Sequence, residues 1–141
     1  MDKVIKIITR ESFSPYGYVI EHDAGNKENF QVILSESGQV GWRIAVSKVV
    51  DKSLKKIARH PTTMESFEPV SGVTMIVVAP PADPENYEVF LLDKPVCVYK
   101  NTWHATICLS DYSIVKICEN NTVSSEFHEF GREIGIRVVE N

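Results

Sequence analysis

Three side chains that can do chemistry stand out in the sequence: His60, Glu65 and His104. The first two lie in Arg59-His60-Pro61-Thr62-Thr63-Met64-Glu65-Ser66-Phe67-Glu68-Pro69, ahead of Gly72. The third closes Tyr99-Lys100-Asn101-Thr102-Trp103-His104. Imidazoles and carboxylates move protons near neutral pH, and two His with one carboxylate can also hold a divalent metal. Taken singly, each His could equally satisfy a local hydrogen bond at a strand end. Both segments lie between strand-like runs, so a β-fold is able to bring them together.

Those runs are the elements that must position the site. Short stretches rich in β-branched and aromatic residues recur along the chain, broken by Gly, Pro, Asn and Asp. They predict strands at Val4 to Thr9, Tyr18 to Glu21, Phe30 to Leu34, Trp42 to Ser47 and Leu54 to His60. Further strands are expected at Thr74 to Ala79, Tyr87 to Leu92, Val96 to Tyr99, Ala105 to Leu109 and Tyr112 to Cys118. Phe127 to Phe130 and Ile134 to Val139 close the series. Many short strands at this spacing imply an all-β sandwich or barrel. The helical candidate near the start is Arg10 to Ser14, capped by Thr9 and ended by Pro15-Tyr16-Gly17. Thr74 to Ala79 is apolar on both faces after Thr74, as in a strand covered on both sides. Gly72 and Asn101 stand at turns, where both residue types tolerate positive φ.

Composition limits the function classes. A length of 141 residues fits one domain with a real core, here taken as 1–141. A formal charge of -4 argues against a nucleic-acid partner, which calls for a basic patch. No apolar run is long enough to span a bilayer, and charges interrupt the start, so no membrane partner is expected. Cys97, Cys108 and Cys118 form an odd set inside apolar runs, which points to buried thiols in a reduced, cytoplasmic protein.

The spacing of Glu65 to Gly72, and of Asn101 to His104, resembles the two cupin motifs, with Pro61-Thr62 in place of a second His and Asn101 in place of a Gly. The flanks narrow the resemblance. Ser12-Phe13-Ser14-Pro15-Tyr16-Gly17-Tyr18-Val19-Ile20-Glu21 is similar to the opening of the ureidoglycolate lyase family. So are Arg59-His60-Pro61 followed by Phe67-x-Pro69, Gly72 and Val77-Val78-Ala79, and Tyr99 followed by Trp103-His104. Ala58, Ala105-Thr106 and the stretch Val115-Lys116-Ile117-Cys118-Glu119 depart from the family's usual pattern.

The resemblance implies a cupin-like β-barrel or jelly roll with minor helix, commonly a homodimer. It implies a lyase that splits ureidoglycolate into glyoxylate and urea during purine breakdown, through allantoin degradation. His104 and Glu65 would serve as base and acid, and His60 as a hydrogen-bond partner or second proton carrier. Arg43 or Lys48 would hold the substrate carboxylate, with Trp103 as pocket wall or substrate contact. No cofactor is required, although a divalent metal at His60, Glu65 and His104 is chemically feasible. The other reading is a non-catalytic cupin that binds a small metabolite, or an enzyme acting on another small hydroxy or keto acid.

Overall fold

In the computed structural model, which describes residues 2–140, the chain alternates between two facing β-sheets. Its elements are β1 (Ile5–Ile7), α1 (Arg10–Phe13), β2 (Gly17–Val19), β3 (Arg43–Val49), β4 (Ser53–Arg59) and β5 (Glu65–Ser71). Then come β6 (Thr74–Ala79), β7 (Glu88–Leu91), β8 (Val96–Val98), β9 (Trp103–Cys108), β10 (Ser113–Glu119) and β11 (Glu126–Gly135). One sheet has the order β1-β7-β6-β9-β4-β11 and the other β2-β8-β5-β10-β3. The β1–β7 pair is parallel and the other pairs are antiparallel. The fold is the expected all-β double sheet with minor helix.

The single short helix forms where Thr9 caps it. The Thr9 side chain accepts from the Ser12 amide, and the Ser12 side chain accepts from the Thr9 amide. Phe13 on this turn is fully buried between the sheets, edge-on to Phe90 at 5.2 Å and to Tyr16 at 5.9 Å. Around them pack Phe67, Ile76, Val78, Val96, Val98 and Val115, which fill most of the space between the sheets. A second cluster, with Ile57, Val77, Trp103 and Phe130, lies on the outer face of the six-stranded sheet. β6 feeds both clusters, Ile76 and Val78 inward and Met75 and Val77 outward, which is why its run is apolar on both faces.

Chain reversals between the sheets fall at residues suited to them. Gly72 joins β5 to β6 with φ +76°, and a Cβ there would stand 2.5 Å from the Tyr112 carbonyl oxygen. Asn101 joins β8 to β9 with φ 68°, and its amide donates to the His60 carbonyl at 3.0 Å. That bond ties the end of β4 to the turn before His104.

Three sequence expectations are corrected. Phe30 to Leu34 is not a strand; it belongs to an irregular segment between β2 and β3 with no ladder partner. This segment lies over the outer face of the five-stranded sheet and encloses an apolar cavity of about 490 Å³, floored by Ser66, Cys97 and Cys118. The two strands expected at the end are one long strand, β11, interrupted by a register shift between Glu129 and Ile134. Residues 136–139 have no strand partner. Finally, β5 is a strand where no strand was expected. All three cysteines are free thiols, Cys97 and Cys108 buried and Cys118 half-buried, and burial pushes the Cys97 thiol up to about 12. No helix among the described residues is long and apolar enough to cross a membrane.

Candidate active site

The site residues gather at one end of the double sheet because their strands begin or end there. His60 follows the last residue of β4, Glu65 opens β5, and His104 is the second residue of β9. Alternation along β9 turns Trp103 outward and His104 inward, and the same alternation past β4 sends Arg59 outward and His60 inward. His104 pairs across the sheet with Ala58 and Val78 and rests edge-on against Phe67 at 5.4 Å.

The two imidazoles converge on one oxygen. His60 Nε2 is 2.9 Å, and His104 Nε2 3.2 Å, from Glu65 Oε1, and the ring centroids are 4.9 Å apart. All three side chains are largely buried, at 12%, 7% and 8% exposure for His60, His104 and Glu65, with His60 nearest the opening. Both Nδ1 atoms face backbone carbonyls: His60 toward Ser124 at 3.1 Å and His104 toward Thr102 at 3.0 Å. An Nδ1–H donating to a carbonyl fixes the ring and leaves Nε2 as the working nitrogen.

Burial alone would push the Glu65 carboxyl up. The His104 and His60 contacts outweigh it and hold the group down to about 2. Reciprocally, the Glu65 carboxylate raises His60 above its ordinary value, against the opposing effect of burial. Glu65 is therefore a fixed anion and a poor proton donor, while His60 is a willing cation.

A row of charged groups continues from Glu65. Across the five-stranded sheet, Glu65 pairs with Glu119, and Glu119 pairs with Arg43, the first residue of β3. Arg43 donates to Glu119 Oε2 from Nη2 at 2.9 Å and from Nε at 3.3 Å. Burial, and the nearby Glu65, push the Glu119 carboxyl up, opposed by Arg43.

The geometry also suits a metal. His60, Glu65 and His104 offer ligand atoms within 4.8 Å of one another, and both Nε2 atoms point to the carboxylate. Contacts of 2.9 and 3.2 Å are the separations that neighbouring ligands take around a hard or borderline divalent ion. The donor set fits such an ion.

Several curated proteins of one family are similar to this chain. Ureidoglycolate lyase of Agrobacterium fabrum is 32% identical over 120 residues, covering 71% of this chain and 72% of that protein. The chain belongs to the ureidoglycolate lyase family. A ureidoglycolate lyase of Rhizobium etli is 30% identical with the same coverage, and another from that species is 26% identical over 147 residues, covering 89% of each chain. No protein-family model matches. Among solved structures, oxalate decarboxylase of Bacillus subtilis overlaps with a TM-score of 0.46 and 15% identity, over 64% of this chain. The overlap spans 24% of the decarboxylase's length.

For a ureidoglycolate lyase family member, the sequence-predicted residues divide into two groups. His60, Glu65 and His104 come together, and Arg43 reaches them through Glu119. Trp103 and Lys48 do not join them. Trp103 packs outside the sheet, with the Arg59 guanidinium 4.5 Å over its ring and its indole N–H donating to Pro81 O. Lys48 lies five residues from Arg43, so its side chain leaves the other face of β3 and sits 4.8 Å over the Tyr112 ring. Glu119 escaped the sequence reading, which took Val115 to Glu119 as a departure from the family pattern. The signal was the period-two row Ser113, Val115, Ile117, Glu119, whose members share the inward face.

Proposed function

We propose that this chain is a ureidoglycolate lyase, splitting ureidoglycolate into glyoxylate and urea by acid–base elimination. The observation that carries the reading is the convergence of His60 Nε2 and His104 Nε2 on Glu65 Oε1 in a chain of this family. His104 Nε2 takes the proton from the carbinol hydroxyl. The oxygen's electron pair forms the carbonyl of glyoxylate as the C–N bond breaks, and the departing nitrogen takes a proton from His60 Nε2–H to give urea.

Glu65 serves as the anion that orients both rings and sustains the His60 imidazolium. The acid role expected for Glu65 thus moves to His60, because a carboxyl held near 2 carries no proton at neutral pH. Arg43 stands at the opening and takes the substrate carboxylate. Were a divalent ion held by His60, Glu65 and His104, it would supply Lewis-acid polarisation of a substrate oxygen in place of proton transfer by the two Nε2 atoms.

The proposed setting is purine breakdown, through allantoin degradation, in the cytoplasm, consistent with three free thiols. The proposed assembly is a homodimer through β3, one of the two edge strands of the five-stranded sheet. Its outer face shows Ile44 and Val46 at 55% and 68% exposure. Light scattering should give twice the chain mass; a monomer at all concentrations would contradict this.

The function is tested by incubating the protein with racemic ureidoglycolate and following glyoxylate. His60→Ala and His104→Ala should each lower the rate by about 10²–10⁴-fold. Unchanged rates in both variants would remove the cluster from the chemistry. No turnover by the native chain would favour a binding module.

A further inference from the structure

The pair formed by Arg43 and Glu119 has properties that an ordinary surface ion pair lacks. Exposed pairs contribute little and need no explanation. Here the partners differ sharply: the Arg43 side chain is 47% exposed, while that of Glu119 is 8% exposed. Both guanidinium contacts go to one oxygen, Oε2. The other oxygen, Oε1, is buried with no hydrogen-bond partner. Burying a carboxylate with one oxygen unpaired costs stability, more so beside a second acidic group. Glu119 stands in that position, opposite Glu65 across the ladder. Folding alone gives no reason for an acid at this place.

We propose that Glu119 is the positioning residue of the substrate-carboxylate clamp, fixing the Arg43 guanidinium through Nε and Nη2 so that Nη1 faces the site opening. The inference rests on the lyase reading above. An arginine at the start of an edge strand is otherwise free to swing among many rotamers. Two N–H bonds to a buried, immobile oxygen set both the plane and the direction of the fork. The fork's remaining edge is then available for a small carboxylate placed over Glu65 and the two imidazoles. Such pre-orientation favours binding a small anion, because the ordering cost is met in folding and not on association. Glu119 touches neither substrate nor the reacting atoms; it lies against the Glu65 carboxyl as well as Arg43, and the double variant below separates its action through Arg43 from any through Glu65.

The test separates binding from chemistry. Glu119→Ala should raise KM for ureidoglycolate by about tenfold with kcat within about threefold, the loss expected for a charge-assisted contact. Glu119→Gln, whose amide oxygen still accepts both N–H bonds, should fall between the two and guards against misfolding of the alanine variant. In an Arg43→Ala background, Glu119→Gln should have no further effect on KM. The same KM increase in that background, or a fall in kcat at unchanged KM, would overturn the proposal. If the native chain shows no turnover, the lyase reading fails, and calorimetric binding of glyoxylate tests the clamp instead. Weaker glyoxylate binding in Glu119→Gln and in Arg43→Ala supports it; equal binding in all three proteins, or none in the native chain, overturns it.

Discussion

Replacing Glu65 by Gln removes the anion on which both imidazoles converge, and its effect should depend on pH in a defined way. A carboxyl held at about 2, where the unfolded chain has 4.5, contributes on the order of 3 kcal/mol to folding at neutral pH. The Gln amide oxygen can still accept one imidazole N–H, which returns about 1 kcal/mol. The expected net loss is about 2 kcal/mol, which for a chain of this length lowers Tm by roughly 6–8 °C. Because Glu65 is lowered on folding, its contribution is complete above 4.5 and fades as pH falls toward 2. Because His60 is raised, its share of the same pair is complete below 6.5 and is lost as pH rises through its folded value. The gap between native and variant should therefore be widest between 4.5 and 6.5, narrower at alkaline pH, and absent near 2. Thermal unfolding followed by circular dichroism at about pH 2.5, 5.5 and 9 measures it. A gap of the same size at all three values, or no gap at the middle one, would refute the assigned charges.

Other expectations follow from particular positions. Gly72→Ala should destabilise by about 2 kcal/mol or more in urea unfolding, because a positive φ and a 2.5 Å approach to the Tyr112 carbonyl both oppose a Cβ. Full stability would contradict the described β5–β6 turn. Lys48→Ala should leave ureidoglycolate turnover within about twofold, since Lys48 leaves β3 on the face away from the site. A large rise in KM would restore it as the carboxylate clamp. Phe90→Ala, which empties the centre of the buried aromatic trio, should cost about 3–5 kcal/mol in the same unfolding assay. A loss below about 1 kcal/mol would mean that the space between the sheets is not packed as described.

Local signals in the sequence carried much of the fold. β6 was legible to the residue because an apolar run is bounded by a glycine turn and Pro80. The helix was legible from Thr9 and Pro15. Phe30 to Leu34 bears the same β-branched and aromatic signal but has no ladder partner, and partner choice is a long-range property. β5 was hidden for the converse reason. Its Glu65, Ser66, Glu68 and Pro69 look like a loop, yet Pro69 is accommodated next to the register shift between Ile114 and Val115 of β10.

The same division holds at the site. His60, Glu65 and His104 were legible as residue types in family-like segments. Trp103 could have been set aside earlier, since neighbours on a strand face opposite sides and His104 already claims the inner one. Glu119 was not legible as a site residue, because a lone acid at a strand end looks solvated. Only pairing with Arg43 and Glu65, both distant in sequence, shows otherwise.

The most direct measurement is a full product balance on ureidoglycolate, with glyoxylate, urea and ammonia quantified together for the native chain and for His104→Ala. Elimination by the imidazole pair predicts equal amounts of glyoxylate and urea, no ammonia, and loss of both products in the variant. Ammonia in place of urea, or equal product yields from both proteins at equal rates, would contradict it.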